Sequence, residues 1–269
     1  YEHEWMHGIS SSFELRGRHI SSNRYVPMIL PDGRSLHGIN DASIRIGLRL
    51  SKDETIVRMP FEVRHMGSKY PIFSFDFTGA KRGVLPASYD YLRLEGRMQY
   101  RLNLPPIGYS QLMLEGGKIF GKVPYLLLKL HEGNGTYFYD RYAFSCMNFY
   151  EFSSDAWISF FYEHHFNGFL LGRVPLLKKL NWREVFVFKG VYGTLSARND
   201  GSLPNTKAVM LFPVGMSSVE HPYLETGFGI ENIFRLLRVD CIWRLTHHRA
   251  VPGLSIPTFT VNFSLNLKF

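Results

Sequence analysis

Residues 258–269 read Thr-Phe-Thr-Val-Asn-Phe-Ser-Leu-Asn-Leu-Lys-Phe, and the alternation has no exception. Phe259, Val261, Phe263, Leu265, Leu267 and Phe269 fall on one face. Thr258, Thr260, Asn262, Ser264, Asn266 and Lys268 fall on the other. A period of two places these sets on opposite sides of a β-strand. An unbroken apolar face about ten residues long, ending on an aromatic, is the pattern of a strand in an outer-membrane β-barrel. One side meets lipid and the other the lumen. A soluble sandwich strand can alternate in the same way, so the remaining strands have to decide.

They decide for the barrel. Ile44, Ile46, Leu48 and Leu50 alternate with Ser43, Arg45, Gly47 and Arg49, and Phe73, Phe75 and Phe77 with Ser74, Asp76 and Thr78. Leu92 to Leu104 and Ser110 to Phe120 repeat the pattern, as do Ile158, Phe160 and Tyr162, Leu224 to Ile230, and Val239 to Leu245. Arg183–Gly193 is apolar on both faces, which leaves its facing open, and Thr55–Val63 is ambiguous. With Ile9–Arg18, which alternates loosely, and without Thr55–Val63, the count is ten strands. Long segments at 20–40, 79–90, 121–150, 194–221 and 248–257 alternate with generally shorter links such as 105–109 and 231–235. Long external loops alternating with short periplasmic turns are the rhythm of outer-membrane barrels. The expected fold is therefore all-β: an antiparallel transmembrane β-barrel portion over residues 1–269, with those five segments as external loops.

Composition agrees. No run of 18 apolar residues suggests a membrane helix, and an aromatic content of 15% suits strands and interfacial girdles. The net charge of +8 points to an anionic partner. No helix with clustered basic residues, zinc spacing or RNA-binding aromatic signature accompanies it, so nucleic acid is not expected. Cys146 and Cys241 have no CxxC neighbour, so no metal or cofactor is expected; free thiols and a disulfide both stay open. Tyr1-Glu2-His3-Glu4-Trp5 lacks the basic and apolar regions of a signal peptide, so either a signal has been removed or this is part of a longer chain; the opening almost directly into strand-like sequence favours the second.

The polar faces gather Arg45, Arg49, Arg93, Glu95, Arg97, Arg101, Glu115, Glu163, Glu225, Arg238, Asp240 and Arg244. A charge on the lipid side costs about 2–4 kcal/mol near the midplane, so their segregation supports a lumen. Both signs are present, which favours a paired, hydrated lumen over a conduction surface. An enzyme is not expected. His164, His165, Glu163, His247, His248 and Asp240 could supply a base, but no GxSxG or HExxH pattern offers a nucleophile or metal.

From Met147 onward, "MNFYEFSSD", "YEHHFNGFLLGRVPLLKKLNWREV", "PYLETGFGIENIFRLLRVDCIWRLTH" and "FTVNFSLNLKF" resemble one family. It comprises outer-membrane proteins of Bacteroidota that join an N-terminal carboxypeptidase-regulatory-like domain to a barrel of unknown function. With "GKIFGKVPYLLL" the resemblance covers about residues 90–269, and residues 1–89 match more weakly. It implies that this chain is the C-terminal part of such a protein. More distantly, the sequence is similar to the BamA/TamA superfamily of outer-membrane insertases and translocators, whose barrels have sixteen strands. That likeness would place 121–150 at the long sixth external loop, which folds into the lumen. There an Arg-Gly-aromatic motif pairs with acidic wall groups. Arg141 in "YFYDRYAF" and Glu163 are the matching positions, although Tyr142 stands in place of the Gly and Lys189 where an acidic residue would be expected. The resemblance further implies that 258–269 is a seam strand. The function it implies is outer-membrane protein or envelope biogenesis and translocation, in the outer membrane of a Gram-negative bacterium with a periplasmic C-terminus. The alternative is a passive structural or pore-forming subunit of a surface complex. Partners would be outer-membrane lipid, lipopolysaccharide and proteins of an envelope complex.

Overall fold

The structure, a computed structural model, describes residues 1–6, 8–59, 62–65, 67–84, 86–202, 206–249 and 255–265. Its strands in chain order are β1 (Glu2–Met6), β2 (Ile9–Ser21), β3 (Gly38–Leu50), β4 (Ile56–Met59), β5 (Glu62–His65), β6 (Ile72–Ala80), β7 (Tyr91–Asn103) and β8 (Tyr109–Gly121). They continue with β9 (Lys129–Leu130), β10 (Phe152–Ser154), β11 (Ala156–His165), β12 (Arg183–Thr194), β13 (Ser217–Ser218), β14 (Tyr223–Ile233), β15 (Leu237–Arg244) and β16 (Phe259–Leu265). Eleven of these form one sheet in the order β1-β2-β3-β6-β7-β8-β11-β12-β14-β15-β16. Every adjacent pair in it is antiparallel.

The main sheet thus has one strand more than the sequence pattern gives. The extra strand is β1, whose Glu-His-Glu-Trp-Met lacks alternation and is held by its hairpin with β2. The ambiguous Thr55–Val63 stretch contributes to a separate two-stranded hairpin, β4–β5. In β16, the pattern's last two apolar positions, Leu267 and Phe269, lie outside the described residues.

Sequential antiparallel pairing sends alternate connections to opposite ends of the sheet. The long segments between β2 and β3, β6 and β7, β8 and β11, β12 and β14, and β15 and β16 leave at one end. At the other end lie the tight turn at 104–108, the turn at 234–236, the β4–β5 hairpin, and a link with a single-turn helix, Pro175–Lys178. Gly108 serves the tight turn with φ +103°, where an added Cβ would strike the His165 carbonyl.

One face of the sheet is an apolar surface left uncovered. Leu15, Ile46, Phe77, Phe228, Trp243, Phe259 and Leu265 are all exposed there, Leu15 at 67%. A soluble monomer rarely leaves such a band open. The other face, called the inner face below, carries the charged positions and the segment between β8 and β11. The long segments are not loose. Met28, Val123, Tyr125, Met210 and Met216 come from three of them and pack with Ile119 and Trp157 into one buried cluster. Tyr125 donates from its hydroxyl to the Pro27 carbonyl at 2.8 Å, and the backbone N–H of Leu211 to the Ile29 carbonyl at 2.8 Å. Trp157 lies over Gly117, where a Cβ would come within 2.6 Å of the indole, so only glycine fits beneath it.

Candidate functional site

Five strands present one or two charged groups each to the segment that follows β8. That segment passes through a 3-10 turn, Tyr125–Leu127, then β9, which pairs with β10. Residues 131–151 then cross the inner face from β8 toward β15.

The first fixing point is Glu115 on β8. It accepts from Lys129 Nζ at 2.7 Å and from Arg97 of β7 at 2.7 Å. The second is Glu163 on β11, almost fully buried. It accepts from Arg141 Nε at 2.8 Å, from the Tyr139 hydroxyl, and from the Arg238 guanidinium of β15 at 3.2 Å. Asp240 holds Arg238 from its other side at 2.8 Å. The third is Lys189 on β12. Its ammonium donates to the carbonyls of Asp140 at 2.7 Å and Ala143 at 2.6 Å. The fourth is Glu225 on β14, whose two oxygens receive the backbone N–H groups of Ser145 at 2.8 Å and Cys146 at 2.7 Å. The fifth is Arg244 on β15, paired with Glu151 at 2.6 Å and donating to the Cys146 carbonyl at 3.2 Å. Burying a charge is costly unless it is paired or hydrogen-bonded: Glu115, Glu163 and Arg244 are ion-paired, and Lys189 and Glu225 are hydrogen-bonded to the loop backbone.

The loop supplies the apolar cover. Phe144, Met147 and Phe152 pack against Phe161, Val191, Val219 and Tyr223. The Tyr139 ring sits between two cations, 4.4 Å from Lys189 Nζ and 4.4 Å from the Arg238 guanidinium carbon. Burial, with the Glu163 carboxylate beside it, pushes the Tyr139 hydroxyl well above its ordinary range, so it stays a donor. Burial also lifts the Cys146 thiol to about 12, and Glu225 adds to that. Cys146 and Cys241 are both free thiols. Burial lowers the His131 imidazole to about 3, assisted by the Lys129 charge. His131 is therefore neutral, with Nε2 2.9 Å from Ser154 Oγ.

Arg141, Glu163, Glu115, Glu225, Arg238, Asp240 and Arg244 all meet the loop or the groups that hold it. Arg97 lies at its border. Arg93 and Glu95 pair with each other at 2.7 Å outside it, and Arg101 stacks on Tyr109 at 4.1 Å. Arg45 and Arg49 belong to the far half of the sheet, paired with Asp76 and Glu54. Sequence reasoning missed Tyr139, Lys129 and Glu151. Lys189 was noted only as a departure, yet it carries two loop carbonyls. The facing of β12 follows: Val185, Val187, Lys189 and Val191 point inward, apolar because the loop covers them.

Three of the histidines named from the sequence are hydrogen-bonded within the fold. His165 lies 3.2 Å from Glu231 and 3.4 Å from Glu163, stacked on Tyr109. His164 bonds Ser110 Oγ at 2.8 Å and the Ile107 carbonyl at 3.0 Å. His247 bonds the His221 carbonyl at 2.8 Å. Among the described residues no group of His, Cys, Asp and Glu has the arrangement to hold a metal.

With this geometry in hand, comparison with known proteins places the fold. The crystal structure of BamA from Haemophilus ducreyi lacking POTRA domains 1–3 superposes with a TM-score of 0.54 at 11% identity. The superposition covers 98% of this chain and 53% of that one, so the chain spans about half the length of that structure. The chain therefore has a BamA-like β-barrel fold. No curated protein sequence matches it. The family described as "Family of unknown function (DUF5686) C-terminal domain" matches residues 10–197. This differs from the sequence resemblance, which was strongest over 90–269. The family match takes in most of the first 89 residues and stops before "PYLETGFG" and the closing strand. Because the match spans well over half of its residues, the chain belongs to the DUF5686 family through that family's C-terminal domain.

Proposed function

We propose that this chain is the C-terminal part of a sixteen-strand outer-membrane barrel of the BamA/TamA type, acting in outer-membrane protein or envelope biogenesis or translocation. The observation that carries the reading is the loop anchor. A long segment is folded onto the inner face of a BamA-like sheet and fixed by buried Glu163 to Arg141, Tyr139 and Arg238. The uncovered apolar face supports lipid contact, and most strand charges lie on the inner face, where they avoid the cost of facing lipid; Lys118 and Glu184 are on the outer face, near strand ends. The long segments would then be external and the C-terminus periplasmic. In this reading β16 is one side of a seam, and its role is non-catalytic. Lipid and lipopolysaccharide lie along the outer face, and protein partners come from an envelope complex.

Depletion of the full-length protein, followed by quantitative proteomics of outer membranes, tests the role. The expected result is a several-fold loss of other outer-membrane proteins or surface components, restored by wild-type protein and not by a Glu163→Ala, Arg141→Ala variant. Unchanged outer-membrane composition together with steady single-channel conductance from the purified protein would instead establish a passive pore.

A further inference from the structure

Strand β16 forms one edge of the main sheet, with β15 on its inner side. Its other side is not bare. The backbone N–H of Phe263 donates to the Tyr137 carbonyl at 2.7 Å, and the Phe263 carbonyl accepts from the Tyr139 N–H at 2.7 Å. Phe138 and Phe263 are thus bridged in parallel, as in a one-residue strand pairing. Asn262 adds a third bond, from Nδ2 to the Thr136 carbonyl at 3.1 Å. Both backbone groups of Phe263 point away from β15, so the edge positions at this register are occupied by the inner loop.

The tip that does this is built for it. Asn134 Nδ2 donates to the Phe138 carbonyl at 2.6 Å, and Asn134 Oδ1 receives the Thr136 N–H at 3.0 Å and hydroxyl at 2.8 Å. These bonds fix the bent tip over residues 136–139. Tyr139 then ties its end to Glu163 on the wall. The side chains of Tyr137 and Phe138 are 77% and 69% exposed, so the tip is held by its backbone and its Tyr139 anchor and not by packing. An exposed strand edge is a template for another chain, and covering it with a loop is one way to prevent that.

We propose that residues 136–139 are a built-in guard of the β16 edge, and that the edge accepts an extended polypeptide strand by β-augmentation only when this tip withdraws. The two states are mutually exclusive: an incoming strand in register needs the Phe263 N–H and carbonyl that Tyr137 and Tyr139 hold. The guard rests on the seam reading above for its purpose, and on the hydrogen bonds alone for its existence.

The test uses the full-length protein in outer-membrane vesicles, with C146S and C241S removing the native thiols. Phe138→Cys combined with Phe263→Cys is expected to crosslink on oxidation. Val261→Cys paired with the native Cys241, in a C146S protein, is the control for β15–β16 pairing, because these residues are register partners. The probe is a photoreactive synthetic peptide of sequence TFTVNFSLNLKF, an alternating strand of the same type. Its capture is expected to fall at least fivefold when the 138–263 crosslink is closed, and to rise severalfold in a Tyr139→Phe, Arg141→Ala protein. A control crosslink that forms while the 138–263 pair stays reduced overturns the guard. So does equal capture by locked and unlocked protein. A crosslink and capture response that persist where depletion leaves the outer membrane unchanged support the guarded edge and remove only the biogenesis role.

Discussion

The two halves of the sheet use the same chemistry in different surroundings. On β3 and β6, Arg45 and Asp76 approach to 2.9 Å, with side chains 39% and 23% exposed. On β15, Arg238 and Asp240 approach to 2.8 Å, at 3% and 0%. The strands alone do not create this contrast, since inward charges alternate on both halves. The loop creates it. Where residues 131–151 cover the wall, each charge is desolvated and is matched by loop groups or by another charge of the wall. Where the wall is open, water does part of that work. Charge pairs on the covered half therefore set the loop's position, and those on the open half contribute little to stability.

Substitutions that treat the halves alike should expose the difference. The largest effect is expected from Glu163→Ala. It removes the acceptor for Arg141, Tyr139 and Arg238 and leaves a buried guanidinium underpaired, at a cost of about 3–5 kcal/mol. Asp76→Ala on the open half is expected to cost less than about 1 kcal/mol. Denaturant unfolding of the purified protein compares them. Glu225→Gln comes next. Losing the charged acceptor of two backbone N–H groups should cost about 1.5–3 kcal/mol, seen as faster proteolysis within 139–150 while β7 and β8 stay resistant. A double-mutant cycle on Arg141 and Glu163 should return a coupling of about 1–2 kcal/mol, against about 0.3 kcal/mol for Arg45 and Asp76. Equal couplings would erase the distinction between the halves.

The smallest effect is a pH dependence. His131 has its folded pKa lowered to about 3, below its ordinary value of 6.5. Its contribution is therefore fully present above pH 6.5 and is lost as the pH falls from 6.5 toward 3. Between pH 6.5 and 5.5 the loss is on the order of 1 kcal/mol. A His131→Asn protein should lack that part of the acid sensitivity in the same unfolding measurement.

Much of the sheet was legible because a membrane-facing strand must segregate its apolar and polar residues, and β3, β7, β11, β14 and β15 do so over most of their length; Trp157, Phe161 and Ile242 break the pattern on the inner face, where they are buried. β1 was not legible because five residues held by a hairpin need no alternation. β12 was not legible because its inner face lies under the loop, where Val185, Val187 and Val191 are as welcome as on the outer face. Arg141 and Glu163 could be nominated through family resemblance, and the structure brings them within 2.8 Å of each other. Lys189, Tyr139 and Glu151 could not, because their partners are backbone carbonyls or residues far along the chain, and neither leaves a local pattern. The loop tip on β16 had no signal either: two of its three bonds are backbone to backbone, and all join residues more than a hundred positions apart.

The central claim is that residues 131–151, apart from the tip at 136–139, are a fixed part of the inner wall. Amide hydrogen exchange of the full-length protein in vesicles tests it most directly. Peptides covering 139–147 are expected to exchange as slowly as those of β11 and β12, because Glu225 holds the N–H groups of Ser145 and Cys146 and the Glu132 carbonyl holds that of Phe144. In Glu163→Ala protein, exchange should accelerate in this loop while β11 and β12 stay slow. Complete exchange of 139–147 within seconds in the wild-type protein would contradict the account.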